Sequence, residues 1–263
     1  MRGRKSLNII INDLNINYSK DGNGQDVLLL LHGWGSNIVN FKHIIQSTSK
    51  YSTVYAIDMP GFGQSDEPKQ SWCVDDYVEL VIQFIEKMNI EKLSILGHSF
   101  GGRVIIKMIS RNLTFNIEKV VLVDSAGIKP KANNKSSFKV KCFKFAKKIV
   151  SLGLVKKMFP NALENLKRRF GSEDYKNATP IMRETLVKTV NEDLTNLLSN
   201  ITQDTLLIWG DKDTATPISD AKKMEELIPN SKLITVKNAG HYSFLEQPYL
   251  VNKVIETFLK GKE

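Results

Sequence analysis

A serine set between glycines, a late histidine and several aspartates at the ends of apolar runs give this chain the residue types that nucleophilic acyl transfer needs. Ser99 stands in Gly97-His98-Ser99-Phe100-Gly101, directly after the apolar residues 93–96. A strand that reverses sharply into a helix crowds the backbone around such a serine, and glycines two positions to either side relieve the clash. The hydroxyl is then exposed at the carboxyl end of a strand, and the Phe100 N–H, at a helix N-terminus, can stabilise an oxyanion. A free hydroxyl is a poor nucleophile until a base takes its proton. Of the four histidines, His241 alone follows the last strand-like run, residues 233–236, in Asn238-Ala239-Gly240-His241-Tyr242. Asp211 and Asp213 follow the apolar residues 206–209, and Asp124 follows 120–123, so all three are candidates to orient that histidine.

The order serine, acid, histidine along the chain differs from the orders of the chymotrypsin-like and subtilisin-like proteases. Together with His32-Gly33-Trp34-Gly35 and Asp58-Met59-Pro60-Gly61-Phe62-Gly63-Gln64-Ser65, it resembles the motif series of the α/β-hydrolase superfamily over nearly the whole chain. The resemblance implies an α/β fold with a mostly parallel central sheet, helices on both faces and an inserted helical cap. It implies that Ser99, Asp213 and His241 form a catalytic triad, with Asp213 favoured over Asp124 by its spacing after Trp209-Gly210 and Asp211 read as a turn residue. It also makes the Trp34 N–H the second oxyanion donor beside the Phe100 N–H. His32 and His98 read as architectural, holding loops through ring hydrogen bonds, and His43 as a helix-surface residue. Arg103, in the first turn after the serine, opposes the helix dipole and is expected to pair with a buried carboxylate, Asp58 or Asp124.

Acyl transfer from an ester-like small molecule to water, through an acyl-enzyme, is the activity this implies, with neither metal nor organic cofactor required. Haloalkane dehalogenases and epoxide hydrolases of similar scaffold need an aspartate where Ser99 stands. Proline iminopeptidases usually carry Gly-Gly-Ser-Trp-Gly at the turn. A carbon-carbon hydrolase of the meta-cleavage-product type is the main enzymatic alternative, although the loop after Gly33 lacks the Gly-Pro-Gly extension common in that group. A ligand receptor with slow turnover is the alternative from outside catalysis.

Positioning these residues requires a set of buried strands. Residues 27–31, 53–57, 93–96, 120–123, 206–209 and 233–236 are leucine-rich or β-branched runs that suit parallel strands. Residues 74–88, 218–227 and 248–259 have helical periodicity and the length of right-handed crossovers. Residues 7–11 and 16–18, around Asn12-Asp13, read as an opening hairpin. At 263 residues one domain with an insertion accommodates the whole pattern. Its core is expected to comprise residues 1–126 and 200–263, and its cap residues 127–199.

The cap region contains no strand-like run and is broken at Gly153, Pro160, Gly171 and Pro180. It also carries the charge. The chain has a net charge of +9, and residues 129–176 hold 14 Lys and Arg against 3 acids. Phe138, Val140, Phe143, Phe145, Ile149 and Val150 alternate with Lys139, Lys141, Lys144, Lys147 and Lys148, a pattern that could touch an anionic membrane surface or an anionic substrate. The preferred reading turns the apolar face onto the pocket and solvates the lysines. No nucleic-acid motif accompanies the charge. The two cysteines, Cys73 and Cys142, have no metal-ligand spacing and form no disulfide framework. The basic start of the chain is followed only by short, polar-interrupted apolar pieces, so neither a signal peptide nor a membrane span is expected, and a cytoplasmic location follows. The sequence leaves the oligomeric state open.

Overall fold

A computed structural model describes residues 6–129 and 173–261. Eight strands form one sheet in the order β1-β2-β4-β3-β5-β6-β7-β8. They are β1 Leu7–Ile11, β2 Leu14–Asp21, β3 Asp26–Leu31, β4 Ser52–Ile57, β5 Lys92–His98, β6 Asn116–Val123, β7 Asp204–Gly210 and β8 Ser231–Val236. The β1–β2 and β2–β4 pairs are antiparallel, and every other pair is parallel. The expected strands are all present.

The opening hairpin turns at Asn12 and Asp13, both at positive φ (50° and 60°), which matches a two-residue turn with the right-handed twist of its flanking strands. Strand β2 runs well beyond the expected residues 16–18, because β1 pairs one edge and Tyr18 to Asp21 pair with Val54 to Ile57 of β4 on the other. The backbone ladder, not side-chain apolarity, holds its polar residues in extended form.

Alternation along β3 separates two cores. Leu29 and Leu31 face a cluster with Val78, Phe84 and Val104, whereas Leu28 and Leu30 face one with Ile44, Val251 and Ile255. The first layer includes α2 (Val74–Lys87) and α3 (Phe100–Ile109), and the second includes α1 (Lys42–Thr48) and the final helix Pro248–Lys260. Each leucine of β3 buried in this way contributes about 1.5–3 kcal/mol through removal from water, so both faces of the sheet are strongly specified. The final helix starts with Pro248 at its N-terminus and ends at Gly261 in the left-handed conformation (φ 62°), a proline-start and glycine-stop arrangement.

Register brings the carboxyl ends of the strands level. Leu31 lies opposite Gly97, His98 opposite Val123, Val123 opposite Ile208, and Gly210 opposite Val236. Every loop that carries a candidate site residue leaves the sheet at this edge, the usual ligand edge of an open α/β sheet.

Between β6 and β7, the described residues 173–200 form helices Glu173–Asn177 and Pro180–Val190 and a 3₁₀ turn at Thr195–Asn200. Thr179 caps the second helix by accepting the Met182 N–H at 3.2 Å. Thr185 fastens it by accepting the Trp72 N–H at 3.0 Å. The alternating lysines and aromatics at 138–150, and Cys142, lie outside the described residues. No described helix is long and apolar enough to cross a membrane.

Candidate active site

Ser99 joins β5 to α3 with φ 49° and ψ −109°, a conformation that side-chain-bearing residues rarely adopt. The flanking glycines make the turn possible. A Cβ on Gly97 would lie 2.5 Å from the Gly102 nitrogen, and one on Gly101 would lie 2.0 Å from the Leu31 carbonyl oxygen. The backbone holds the turn from both sides. Ser99 N–H donates to the Val123 carbonyl at 3.1 Å, and the Ser99 carbonyl accepts from Gly102 and Ala126 N–H at 3.1 and 3.0 Å.

His241 reaches this serine from the loop after β8. Its Nδ1–H donates to Asp213 Oδ2 at 2.8 Å, which leaves Nε2 to accept the Ser99 hydroxyl at 2.9 Å. Asp213 is fixed in turn by the Ala215 and Thr216 N–H groups at 2.8 and 3.0 Å and by the Thr216 hydroxyl at 2.7 Å. Burial pushes its carboxyl up, but the bonds from His241 and Thr216 outweigh it and hold Asp213 below the ordinary carboxylate range. Trp209, in the core of β7, donates its indole N–H to the Thr216 carbonyl at 2.7 Å and so pins the same loop. Thr216 was not among the residues expected at the site. An aspartate followed three positions later by threonine is the local signal, since such pairs close turns through side-chain to backbone bonds.

The three aspartates separate cleanly. Asp213 meets His241, and Asp211 is an exposed loop residue whose N–H donates to the Val236 carbonyl at 3.1 Å. Asp124 is fully buried but turns elsewhere, accepting from Gly210 N–H at 2.9 Å and from the N–H and hydroxyl of Ser243 at 3.0 and 2.7 Å.

The loop after β3 approaches the serine closely. A Cβ on Gly33 would stand 2.6 Å from His98 Nδ1 and 3.2 Å from Ser99 Cβ, so only glycine lets this backbone pass. Trp34 and Phe100 line the same cavity of about 250 Å³ as Ser99 and His241. Phe100 opens α3, where an N–H has no partner inside the helix. The Trp34 ring packs edge-on against Phe62 and Phe100 at 4.8 and 5.4 Å. Ile128, Leu186 and Val190 supply an apolar part of the cavity wall.

His32 and His98 hold loops through ring hydrogen bonds, in agreement with expectation. His32 donates to the Gly33 carbonyl at 2.7 Å and accepts the Met59 N–H at 2.9 Å. His98 donates through Nε2 to the His241 carbonyl at 2.8 Å. Burial, reinforced by neighbouring His241, pushes His98 down to about 3, so it stays neutral. His43 is half-buried on α1.

Arg103 departs from expectation. Neither Asp58 nor Asp124 pairs with it; its guanidinium donates to the Glu192 carbonyl. Asp58 is occupied by the Asn17 side chain and the Ile38 and Gln64 N–H groups at 2.7, 2.8 and 2.9 Å. Both carboxylates thus satisfy donors from distant elements that sequence spacing does not reveal.

A model of the alpha/beta hydrolase fold family matches residues 26–248. Over 256 residues the chain is 25% identical to the AB hydrolase superfamily protein YisY of Bacillus subtilis (strain 168), an alignment covering 90% of this chain and 92% of that protein. Over 270 residues it is 26% identical to the 2-hydroxy-6-oxononadienedioate/2-hydroxy-6-oxononatrienedioate hydrolase 1 of Pseudomonas putida, covering 94% and 92%. A solved membrane phospholipase A, described as a bacterial virulence factor, matches with a TM-score of 0.76 at 23% identity, covering 98% of this chain and 86% of that one.

Proposed function

The chain belongs to the α/β-hydrolase fold family, and from that membership we propose that it is a serine hydrolase cleaving carboxylic esters of small to medium acyl groups through an acyl-enzyme. The hydrogen-bonded chain from Ser99 through His241 to Asp213, opening onto a partly apolar cavity, carries this reading. As the Ser99 Oγ attacks the ester carbonyl, its proton passes to His241 Nε2, and Asp213 stabilises the imidazolium that forms. The carbonyl electrons move onto oxygen, where the Trp34 and Phe100 N–H groups receive the oxyanion. Collapse of the tetrahedral intermediate breaks the carbon–oxygen bond to the alcohol, which takes the His241 proton as it leaves. Water then attacks the acyl-enzyme, gives a proton to His241 Nε2 and releases the acid, and that proton returns to Ser99.

In this reading residues 127–199 form the cap, with Leu186 and Val190 facing the acyl group. Carbon–carbon bond hydrolysis by the same residues is the second reading, and the relatedness to the Pseudomonas putida enzyme supports it. Labelling by a fluorophosphonate that is lost in Ser99→Ala, combined with turnover of 4-nitrophenyl esters of graded chain length, is the expected outcome. No labelling of the wild-type protein would overturn the nucleophile assignment. Labelling with turnover of dienoates but of no ester would transfer the proposal to the second reading.

A further inference from the structure

Arg103 lines the cavity as a buried cation that, among the described residues, has no carboxylate in an ion pair with it. Arg103 is 3% exposed and lines the same cavity as Ser99. Among the described residues its hydrogen-bond partner is the Glu192 carbonyl, and it forms no ion pair. The nearby acids are engaged elsewhere, the Glu192 carboxylate by Lys107 and the Asp193 carboxylate by the N–H and hydroxyl of Thr195 at 3.1 and 2.6 Å. A guanidinium presents five N–H donors in a planar fork that fits a carboxylate with two parallel bonds, and it does not shed its charge. One backbone carbonyl leaves most of that fork unfilled, and the Glu192 and Asp193 charges favour the buried cation only through space, without a hydrogen bond to it.

The position relates this charge to the nucleophile. The Arg103 N–H donates to the carbonyl of Ser99 at 3.3 Å, one turn into α3 from the Ser99 N-cap position. The other charged groups lining the cavity, Asp174 and Asp220, are exposed and half-buried respectively, where water screens them far more than it screens Arg103.

We propose that Arg103 is a substrate-recognition residue that receives a second, free carboxylate on the substrate while Ser99 attacks the ester carbonyl. The favoured substrates are then hemiesters of short dicarboxylic acids. This assignment rests on the esterase reading above and specifies which acyl groups it takes.

The experiment compares mono-4-nitrophenyl glutarate with the neutral 4-nitrophenyl valerate. Wild-type kcat/KM is expected to favour the anionic ester by about tenfold or more, the equivalent of one charge-assisted pair. Arg103→Gln should abolish that preference while holding kcat on the valerate ester within about threefold, the range of one minor hydrogen bond. Arg103→Lys, which keeps the charge and can still donate to Glu192, should retain part of it. Equal losses on both esters in both variants, or no wild-type preference, would overturn the proposal and leave Arg103 as a brace for the Glu192 loop. A second measurement is independent of turnover: glutarate binding to Ser99→Ala, followed by calorimetry, should disappear when Arg103→Gln is added. If the wild type hydrolyses neither ester but this binding is seen and then lost, the esterase reading fails and the carboxylate site stands. If Ser99→Ala binds no glutarate, the site is refuted whatever the esters show.

Discussion

The buried carboxylate of Asp124 accepts both the N–H and the hydroxyl of Ser243, two positions beyond His241, while its other oxygen accepts the Gly210 N–H. One side chain at the end of β6 thereby clasps the end of β7 to the loop that carries His241. Burial pushes Asp124 up to about 7 against the downward pull of its Ser243 and Gly210 bonds. In an unfolded chain the same group titrates near about 3.9. Between those values the folded protein holds a proton that the unfolded chain has released, so this contribution to stability is complete below about pH 4 and is lost as pH rises through about 7. Denaturant unfolding of wild type and Asp124→Asn from pH 4 to pH 8 should show the wild type losing ground to the variant, by at most about 1.4 kcal/mol per pH unit. A stability difference independent of pH would contradict the shift.

Asp213→Asn should leave the fold intact and lower turnover by about 10³- to 10⁴-fold, because an amide cannot hold His241 in the tautomer whose Nε2 accepts from Ser99. Asp124→Asn should act on stability and only modestly on kcat. If the two substitutions exchange these effects in ester kinetics, the acid has been misassigned.

Ser99→Ala and His241→Ala should each remove most ester turnover, with the double variant little worse than either single one, since hydroxyl and imidazole act as a unit. Losses that multiply would show that the two residues contribute independently.

Gly33→Ala introduces a methyl group 2.6 Å from His98 Nδ1 and 3.2 Å from Ser99 Cβ. The His98 ring is fully buried and tied to the His241 carbonyl, so the backbone must yield and, on the proposed mechanism, carry the Trp34 N–H away from the oxyanion. Loss of one such donor corresponds to about 10²- to 10³-fold in kcat. A variant with wild-type kcat would remove Trp34 from the mechanism.

Fold and reactive residues were legible in the sequence for different reasons. Strands such as β3 and β7 are buried on both faces, so their positions show as unbroken apolar runs, and Ser99 is marked by glycines that its turn cannot do without. Strand β2 was only half visible, because its polar residues are held by backbone pairing, Asn15 and Asn17 with Ile10 and Asn8 of the hairpin and Ser19 with distant Ala56. Thr216 acts within its own loop on Asp213, three positions earlier, whereas Ser243 and the Glu192 partner of Arg103 were hidden for a related reason. Each acts through a contact across loops, where side-chain type constrains geometry weakly and register decides which groups meet.

The hydrogen bond between Ser99 and His241 joins positions 142 residues apart, and its second anchor comes from a strand at the far side of the sheet's parallel run. During synthesis the Ser99 turn emerges long before His241, so a nascent chain that has formed β3 to β6 holds a buried core and a serine without its histidine partner. Contacts of such long sequence separation close late in folding. On the proposed mechanism, hydrolytic competence reports completion of the sheet: on refolding, secondary structure should return ahead of reactivity toward a fluorophosphonate, and the lag between them measures the docking of β8 and its loop.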